Sequence, residues 1–311
     1  MSNIKIEENI PLAGYTTFKI GGPAKFFVAV KTEKELEQAV KYAQDNGLEI
    51  FILGGGSNVL VSDDGFAGLV IHIKNEACET EGTKIKCGAG LLLSEAVRTA
   101  TQNSLTGLEW ASGIPGAIGG AIRGNAGAFG GEMKDNIESV EVLDLGDLQM
   151  KTYKLEECRF SYRESIFKED ENLIIFSAIL NLKKGEKEKI EEKVKEIIKT
   201  RSERHPAGLA SAGSFFENPT VKNKELIERF EKETGMKSRE DKIPAGWLIA
   251  DLGLRGKKIG QIQVSDDHAN FLVNCGQGTA QEVVMLSSLI KQKVRNELGI
   301  QLREEVKYVG F

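Results

Sequence analysis

Apolar and polar positions along the chain follow two rhythms, one of two residues and one of about 3.6, and the switches between them divide it into elements. Residues 14–23, GYTTFKIGGP, form a turn-rich entry to a strand over 24–30. Thr32 and Glu35 have the spacing of a capping box, and Leu36, Ala39, Val40 and Ala43 then share a helical face that Gly47 ends. A strand over 49–53 runs into Gly54-Gly55-Gly56-Ser57-Asn58, and the chain resumes as the apolar run 59–61. Further strands are predicted over 68–73 and 83–87, then a helix over 91–103 with Leu92, Ala96, Val97 and Ala100 inward. After Trp110 the periodicity stops.

It returns with a strand over 139–143, a short turn or helix at 155–158 and a long strand over 173–182. Residues 186–200 predict an amphipathic helix with Ile190, Val194, Ile197 and Ile198 on its apolar side. The basic segment 201–206 ends it and is the best candidate for a domain boundary. Beyond it lie helices over 224–234, 244–252 and 279–298, the last with a second capping box (Thr279, Glu282) and a stop at Gly299. A strand over 300–309 closes the chain. Strands and helices interleave without strict alternation, which indicates an α+β fold.

The break after Trp110 is the most informative stretch. Residues 113–131, GIPGAIGGAIRGNAGAFGG, combine dense glycine with small apolar residues, unlike a glycine–serine linker. Glycine this dense means tight turns and close approach to the backbone. Two readings stand: a buried loop around a flat, partly apolar ligand, or an irregular core crossover. The loop 54–58 follows a strand, as a phosphate-binding loop does, and glycine frees successive N–H groups to face a diphosphate. It lacks the Walker lysine and the following helix of a dinucleotide unit, so alone it reads better as a tight hairpin. Two such loops about 55 residues apart in one half of the chain point to a nucleotide cofactor.

Composition narrows the classes. The 311 residues suffice for two or three domains, and 41% hydrophobic with 28% charged residues supports a sizeable core. A net charge of −5 argues against nucleic acid as the main partner. The opening MSNIKIEENI has no apolar core of a signal peptide, and no apolar run is long enough for a bilayer, so a cytoplasmic protein is expected. Cys78, Cys87, Cys158 and Cys275 form no CxxC pair or Cys/His cluster, so no metal site is expected.

Pattern alone does not rank the remaining polar residues. Arg163 in FSYRES reads as well as a surface charge. Ser214, after Gly213, reads as a turn serine; no GxSxG elbow surrounds it, and neither His205 nor His268 has the context of a triad base. Glu305, in the closing strand beside Arg303 and Lys307, reads as a solvated charge.

Taken together, TTFKIGGPA (16–24), GGGSNVLVSD (54–63), GIPGAIGGAIRGNAGAFGGE (113–132), FSYRES (160–165), AGSFFENP (212–219), AGWLIADLGLRG (245–256), HANFLVN (268–274) and EEVKYVG (304–310) resemble the UDP-N-acetylenolpyruvoylglucosamine reductase family over nearly the whole chain. The resemblance implies an FAD domain of the vanillyl-alcohol-oxidase (PCMH) type in two lobes, 1–74 and 75–200. A substrate-binding domain, 201–311, follows, from which Glu305 returns to the active site. It implies that Gly54, Gly55, Gly56, Ser57 and Asn58, with Gly113, Ile114, Pro115, Gly120, Asn125, Ala126 and Gly127, hold the FAD. Ser57 stands where relatives with covalent FAD often carry a histidine, so a noncovalent cofactor is expected.

The implied reaction is NADPH-dependent reduction of UDP-N-acetylglucosamine enolpyruvate to UDP-N-acetylmuramate, a precursor of peptidoglycan. The implied roles are Arg163 and Glu305 on the substrate carboxylate, Glu305 with a raised pKa, and Ser214 as proton donor. Tyr162, Asn218 and Lys257 are the implied substrate contacts, and a monomer is expected. A flavin oxidase of the same fold would want a base rather than a proton donor. Three positions depart from the family pattern: Glu217 where lysine is common, Arg123 where an apolar residue is usual, and Phe129 in place of a frequent tyrosine. Glu217 puts the contacts to the substrate diphosphate in question. Arg123 is expected either to neutralise an FAD phosphate or to reach solvent.

Overall fold

The computed structural model describes residues 4–204, 208–238 and 240–311. His205, and the end of the expected boundary segment 201–206, lie outside the described residues. The chain forms two compact units. The first comprises the residues up to Ile10, Ala24–Gly55 and Ala67–Glu203; the second comprises Pro11–Pro23, Gly56–Phe66 and Arg204–Phe311.

The first unit is built on two sheets. One has the order Glu7–Pro11, Pro23–Val30, Phe66–Ile73, Ile50–Leu53, its last two strands parallel with Ile50 opposite Leu69. The helix Glu33–Asp45 covers it. Thr32 accepts from the Glu35 N–H and Glu35 from the Thr32 N–H, the predicted capping box, worth about 1 kcal/mol. Leu36, Ala39, Val40 and Ala43 are all buried, as the periodicity requires.

The second sheet runs Gln149–Lys154, Ile137–Asp144, Leu173–Asn181, Lys84–Gly88, Cys78–Glu81, antiparallel throughout. Its central strand, LIIFSAILN, is buried on both faces for nearly its whole length, which is why its apolar run does not alternate. Two inward residues differ from expectation. Leu92 is exposed and Leu93 fully buried, because the helix begins at Leu93 while Leu92 stays extended and bridges Ala117. The helix Lys187–Arg204 continues into the basic segment as far as Arg204 rather than ending at Thr200. Ile190 and Ile197 are buried on its inner face, and Ile198, one step further round, is exposed.

The second unit packs three helices, Lys224–Thr234, Ala245–Asp251 and Ala280–Leu298, with an antiparallel sheet ordered Ala210–Ser214, Phe271–Asn274, Ile262–Val264, Lys258–Ile259. Its core joins Phe215, Phe216, Leu248 and Ile290 to Phe18, Ile20 and Leu60 from the two early segments. Polar contacts tie those segments in. The Thr17 hydroxyl donates to the Ser211 carbonyl at 2.7 Å, and Asn274 to the Phe18 carbonyl at 3.2 Å. Asp63 accepts from the Ala280 and Gln281 N–H groups, adding a carboxylate to the positive end of the last helix.

Val59–Val61 pairs in parallel with Lys307–Val309. This is the only ladder strand formed by the expected strand 300–309 among the described residues. Residues Ile300, Leu302, Val306 and Val309 are the buried ones, at successive spacings of two, four and three rather than two throughout. The segment is extended but crosses its neighbours singly, so Glu305 lies before the strand and not within it.

Candidate active site

The two glycine-rich stretches meet. A Cβ on Gly55 would stand 2.7 Å from the Gly116 Cα, and one on Gly54 would lie 3.6 Å from the Ala117 Cβ. The backbones therefore touch where any side chain would separate them. None of the successive N–H groups of Gly54, Gly55, Gly56, Ser57 and Asn58 donates to the protein among the described residues. A run of free N–H groups beside a surface without side chains suits a diphosphate, so the residues present fit the phosphate portion of a dinucleotide.

The stretch 113–131 is less irregular than its sequence suggests. Ile118–Arg123 forms a short helix, and Gly127–Ala128 pairs with Gly131–Glu132 across a tip at Phe129 and Gly130. The helix arises because Ile118 and Gly119 donate to the Leu91 and Ala89 carbonyls, with the Gly119 hydrogen atom in place of a methyl against Ala89. Gly113 and Gly116 have φ of +72° and +121°, so glycine is needed there. Gly120 faces open space; Ile114 packs partly buried against the core of this unit, and Pro115 is exposed. Asn125 is buried at φ +40°; its amide donates to Glu132 at 2.6 Å and to the Ser161 carbonyl at 2.9 Å. Its Oδ1 accepts from the Lys134 N–H. That side chain ties the glycine stretch to the FSYRES turn.

Arg163 sits on that turn. Ser161 and Glu164 exchange backbone hydrogen bonds around Tyr162-Arg163, and Arg163 takes φ +58° at the third turn position, where type II turns favour glycine. Its guanidinium donates to the Gly127 carbonyl at 3.2 Å and lies 5.6 Å from the half-exposed Tyr162 ring. Arg163, Tyr162, Asn125 and Gly127 are thus one cluster of the first unit.

Ser214, Glu305 and Asn58 form another, within the second unit. Gly213 at φ +77° puts a bulge between Ser211 and Ser214, re-aiming Ser214 at the end of its strand. Ser214 itself is partly buried there. The Glu305 N–H donates to the Phe215 carbonyl at 2.9 Å, and the Asn58 amide to the Glu305 carbonyl at 3.0 Å. The residue that sequence reasoning missed here is Asn270. Buried at 3% exposure, it donates to the Phe216 carbonyl and accepts from the Phe216 N–H, and its own carbonyl takes the Phe215 N–H. Its signal was an asparagine set among apolar residues in HANFLVN.

The remaining positions fall elsewhere. Asn218 Oδ1 accepts from the Ala245 N–H and so holds the start of a helix. Lys257 is exposed on the turn before the strand Lys258–Ile259. Arg123 neither stands free in solvent nor is bare of a partner; its guanidinium lies 3.6 Å from Glu171, and burial holds its pKa below the usual arginine value. The Glu217 N–H donates to the Arg303 carbonyl, fixing the backbone beside Phe216. No group of three or more histidine, cysteine or carboxylate residues could hold a metal ion among the described residues.

Comparison with known proteins adds a family. Residues 205–309 match the model of the UDP-N-acetylenolpyruvoylglucosamine reductase C-terminal domain, and residues 24–150 that of an FAD binding domain. A UDP-N-acetylenolpyruvoylglucosamine reductase of Solibacter usitatus is 37% identical over 99% of this chain and 98% of its own length. One from Caldanaerobacter subterraneus is 38% identical over 98% and 94%. The crystal structure of the enzyme of that name from Thermus caldophilus superposes with a TM-score of 0.79 at 34% identity, covering 99% of this chain and all of the other.

Proposed function

The chain belongs to the UDP-N-acetylenolpyruvoylglucosamine reductase family, and we propose that Arg163, Ser214 and Glu305 carry its reaction. It is an FAD-dependent oxidoreductase that reduces UDP-N-acetylglucosamine enolpyruvate to UDP-N-acetylmuramate with NADPH as hydride donor. The FAD held by the glycine loops would supply the hydride relay between NADPH and the vinyl CH2 carbon of the substrate. We assign the cofactor to the lobes 1–74 and 75–200, its diphosphate to the loops 54–58 and 113–127, and the substrate to 201–311.

The task left to the chain is the negative charge that develops beside the substrate carboxylate. A donor aimed at that charge gains most where it forms. Arg163 pairs with the carboxylate; its guanidinium, already fixed on the Gly127 carbonyl, needs little reordering. Glu305 in its protonated form donates to the same group, a role that requires its carboxyl to stay neutral at working pH. Ser214 gives its proton to the adjacent carbon, which an enolate is basic enough to accept. The Glu305 N–H held on the carbonyl of Phe215, the residue after Ser214, supports this division of labour.

Tyr162, Lys257 and the Asn218 amide, whose oxygen is engaged at Ala245, are the proposed substrate contacts. We place the reaction in the cytoplasm and the protein as a monomer. No helix among the described residues is long and apolar enough to cross a membrane.

The observation that carries the reading is full-length similarity to enzymes of one name. Ser214→Ala tests the residue roles. Flavin reduction by NADPH should stay near normal, while reoxidation by the enolpyruvyl substrate slows by about 10²–10⁴-fold. Equal slowing of both half-reactions contradicts a proton-donor role.

A further inference from the structure

The hairpin of strands Cys78–Glu81 and Lys84–Gly88 sets two thiols against each other, with Cys78 opposite Cys87 in its register. The Gly88 N–H donates to the Ala77 carbonyl at 2.8 Å, which makes 77 and 88 a hydrogen-bonded pair. The next pair, 78 and 87, is therefore non-hydrogen-bonded, the kind in which Cα atoms come to about 4.5 Å and side chains approach most closely. Disulfides need Cα separations of about 4.4–6.8 Å, so the backbone as it stands can carry the bond. Cys78 is partly exposed, its Sγ 3.5 Å from the Thr99 hydroxyl on the helix Leu93–Gln102, while Cys87 is fully buried.

We propose that Cys78 and Cys87 are a redox-modifiable dithiol, Cys78 attacking and Cys87 resolving, which a low-molecular-weight disulfide converts to an intramolecular disulfide. The Cys78 thiolate attacks one sulfur of the small disulfide, whose S–S bond breaks. A mixed disulfide forms on Cys78 and one small thiolate leaves. Cys87 then releases its proton to solvent and attacks the Cys78 Sγ, expelling the second small thiolate. Two protein thiols are oxidised to one disulfide, and the reagent is reduced to two thiols.

The surroundings set the order of attack. The hydrogen bond with Cys87, joined by the Thr99 hydroxyl and the Arg98 charge, holds the Cys78 thiol below its ordinary pKa, against burial and Glu95. The same hydrogen bond and burial push Cys87 up. Cys87 stays a thiol until Cys78 is capped and its negative charge removed. Neither cysteine takes part in the proposed reduction, yet Cys87 lies two residues from Ala89, whose carbonyl receives the Gly119 N–H at 2.9 Å. The oxidised staple would thus sit next to the strut of the second glycine stretch.

The test is a peptide map of the FAD-loaded protein after incubation with oxidised glutathione, blocking of free thiols and trypsin digestion. Cleavage after Lys74, Lys84, Lys86 and Arg98 puts Cys78 and Cys87 on separate peptides, 75–84 and 87–98. The expected result is that these peptides appear joined, lacking two hydrogens and separated by dithiothreitol, while Cys158 and Cys275 are recovered blocked. Cys87→Ala should stop at the glutathione adduct on Cys78, and Cys78→Ser should leave Cys87 unmodified. A wild-type protein in which Cys78 holds glutathione without linking, or in which neither cysteine reacts, overturns the proposal.

Discussion

Arg163 takes a left-handed backbone conformation that a non-glycine residue adopts at a cost of about 1–3 kcal/mol. That cost is borne where the guanidinium is fixed on the Gly127 carbonyl, as expected of a side chain whose direction matters more than local stability. Neither this nor the roles proposed for Ser214 and Glu305 can be ranked from pattern, because each is a common residue in ordinary surroundings. The bulge at Gly213 and the clamp from Asn270 appear only when strands distant in sequence pair. Glu305 is proposed as a neutral donor. Glu305→Gln, which keeps a donor of similar shape, should retain more of the substrate half-reaction than Glu305→Ala, by about tenfold or more, equivalent to about 1.4 kcal/mol. Stopped-flow reoxidation of the reduced flavin measures both; equal loss in the two variants speaks against a donor role.

At the scale of elements, the helices were legible and the loops were not. Both predicted capping boxes form, at Thr32–Glu35 and Thr279–Glu282, because they depend only on residues three apart. Leu92 was misplaced because its extended bridge to Ala117 delays the helix by a residue, a tertiary cause that periodicity does not record. The closing strand was overextended because alternation of charged and apolar residues does not reveal single crossings. The meeting of the glycine stretches was readable as close approach but not as approach to each other. It yields a sharp expectation. Gly55→Ala drives a methyl into the Gly116 backbone and should lower stability by about 1–3 kcal/mol and weaken FAD binding, read by thermal melting and fluorescence titration. Gly120→Ala, with no protein atom near the added methyl, should leave stability unchanged; if Gly55→Ala binds FAD as wild type does, the loops are not a cofactor cradle.

At the scale of the molecule, the least legible feature was the assignment of 11–23 and 56–66 to the second unit. It rests on the parallel pairing of Val59–Val61 with Lys307–Val309, nearly the full chain apart, and no local signal announces such a partner. The first unit carries a pH-sensitive residue of its own. His72 lies 5.9 Å from the Phe27 ring, and burial, with the Lys74 charge, lowers its pKa from 6.5 to about 4. As pH falls through 6.5 the unfolded chain takes up a proton at this site while the folded one does not until about 4. The stability associated with neutral His72 is therefore present above pH 6.5 and lost toward pH 4. Urea unfolding across that window should show a shallower pH dependence in His72→Gln than in wild type. Parallel profiles would mean that His72 titrates alike in both states.

One chain accepts a hydride from NADPH through FAD and hands it to an enolpyruvyl UDP-sugar. An anaerobic two-step titration followed by visible absorbance tests it most directly. Adding NADPH to the FAD-loaded protein should bleach the flavin, and adding UDP-N-acetylglucosamine enolpyruvate should restore the yellow colour without oxygen. If NADPH bleaches the flavin and the enolpyruvyl substrate leaves it colourless, the cofactor assignment survives and the substrate assignment is contradicted.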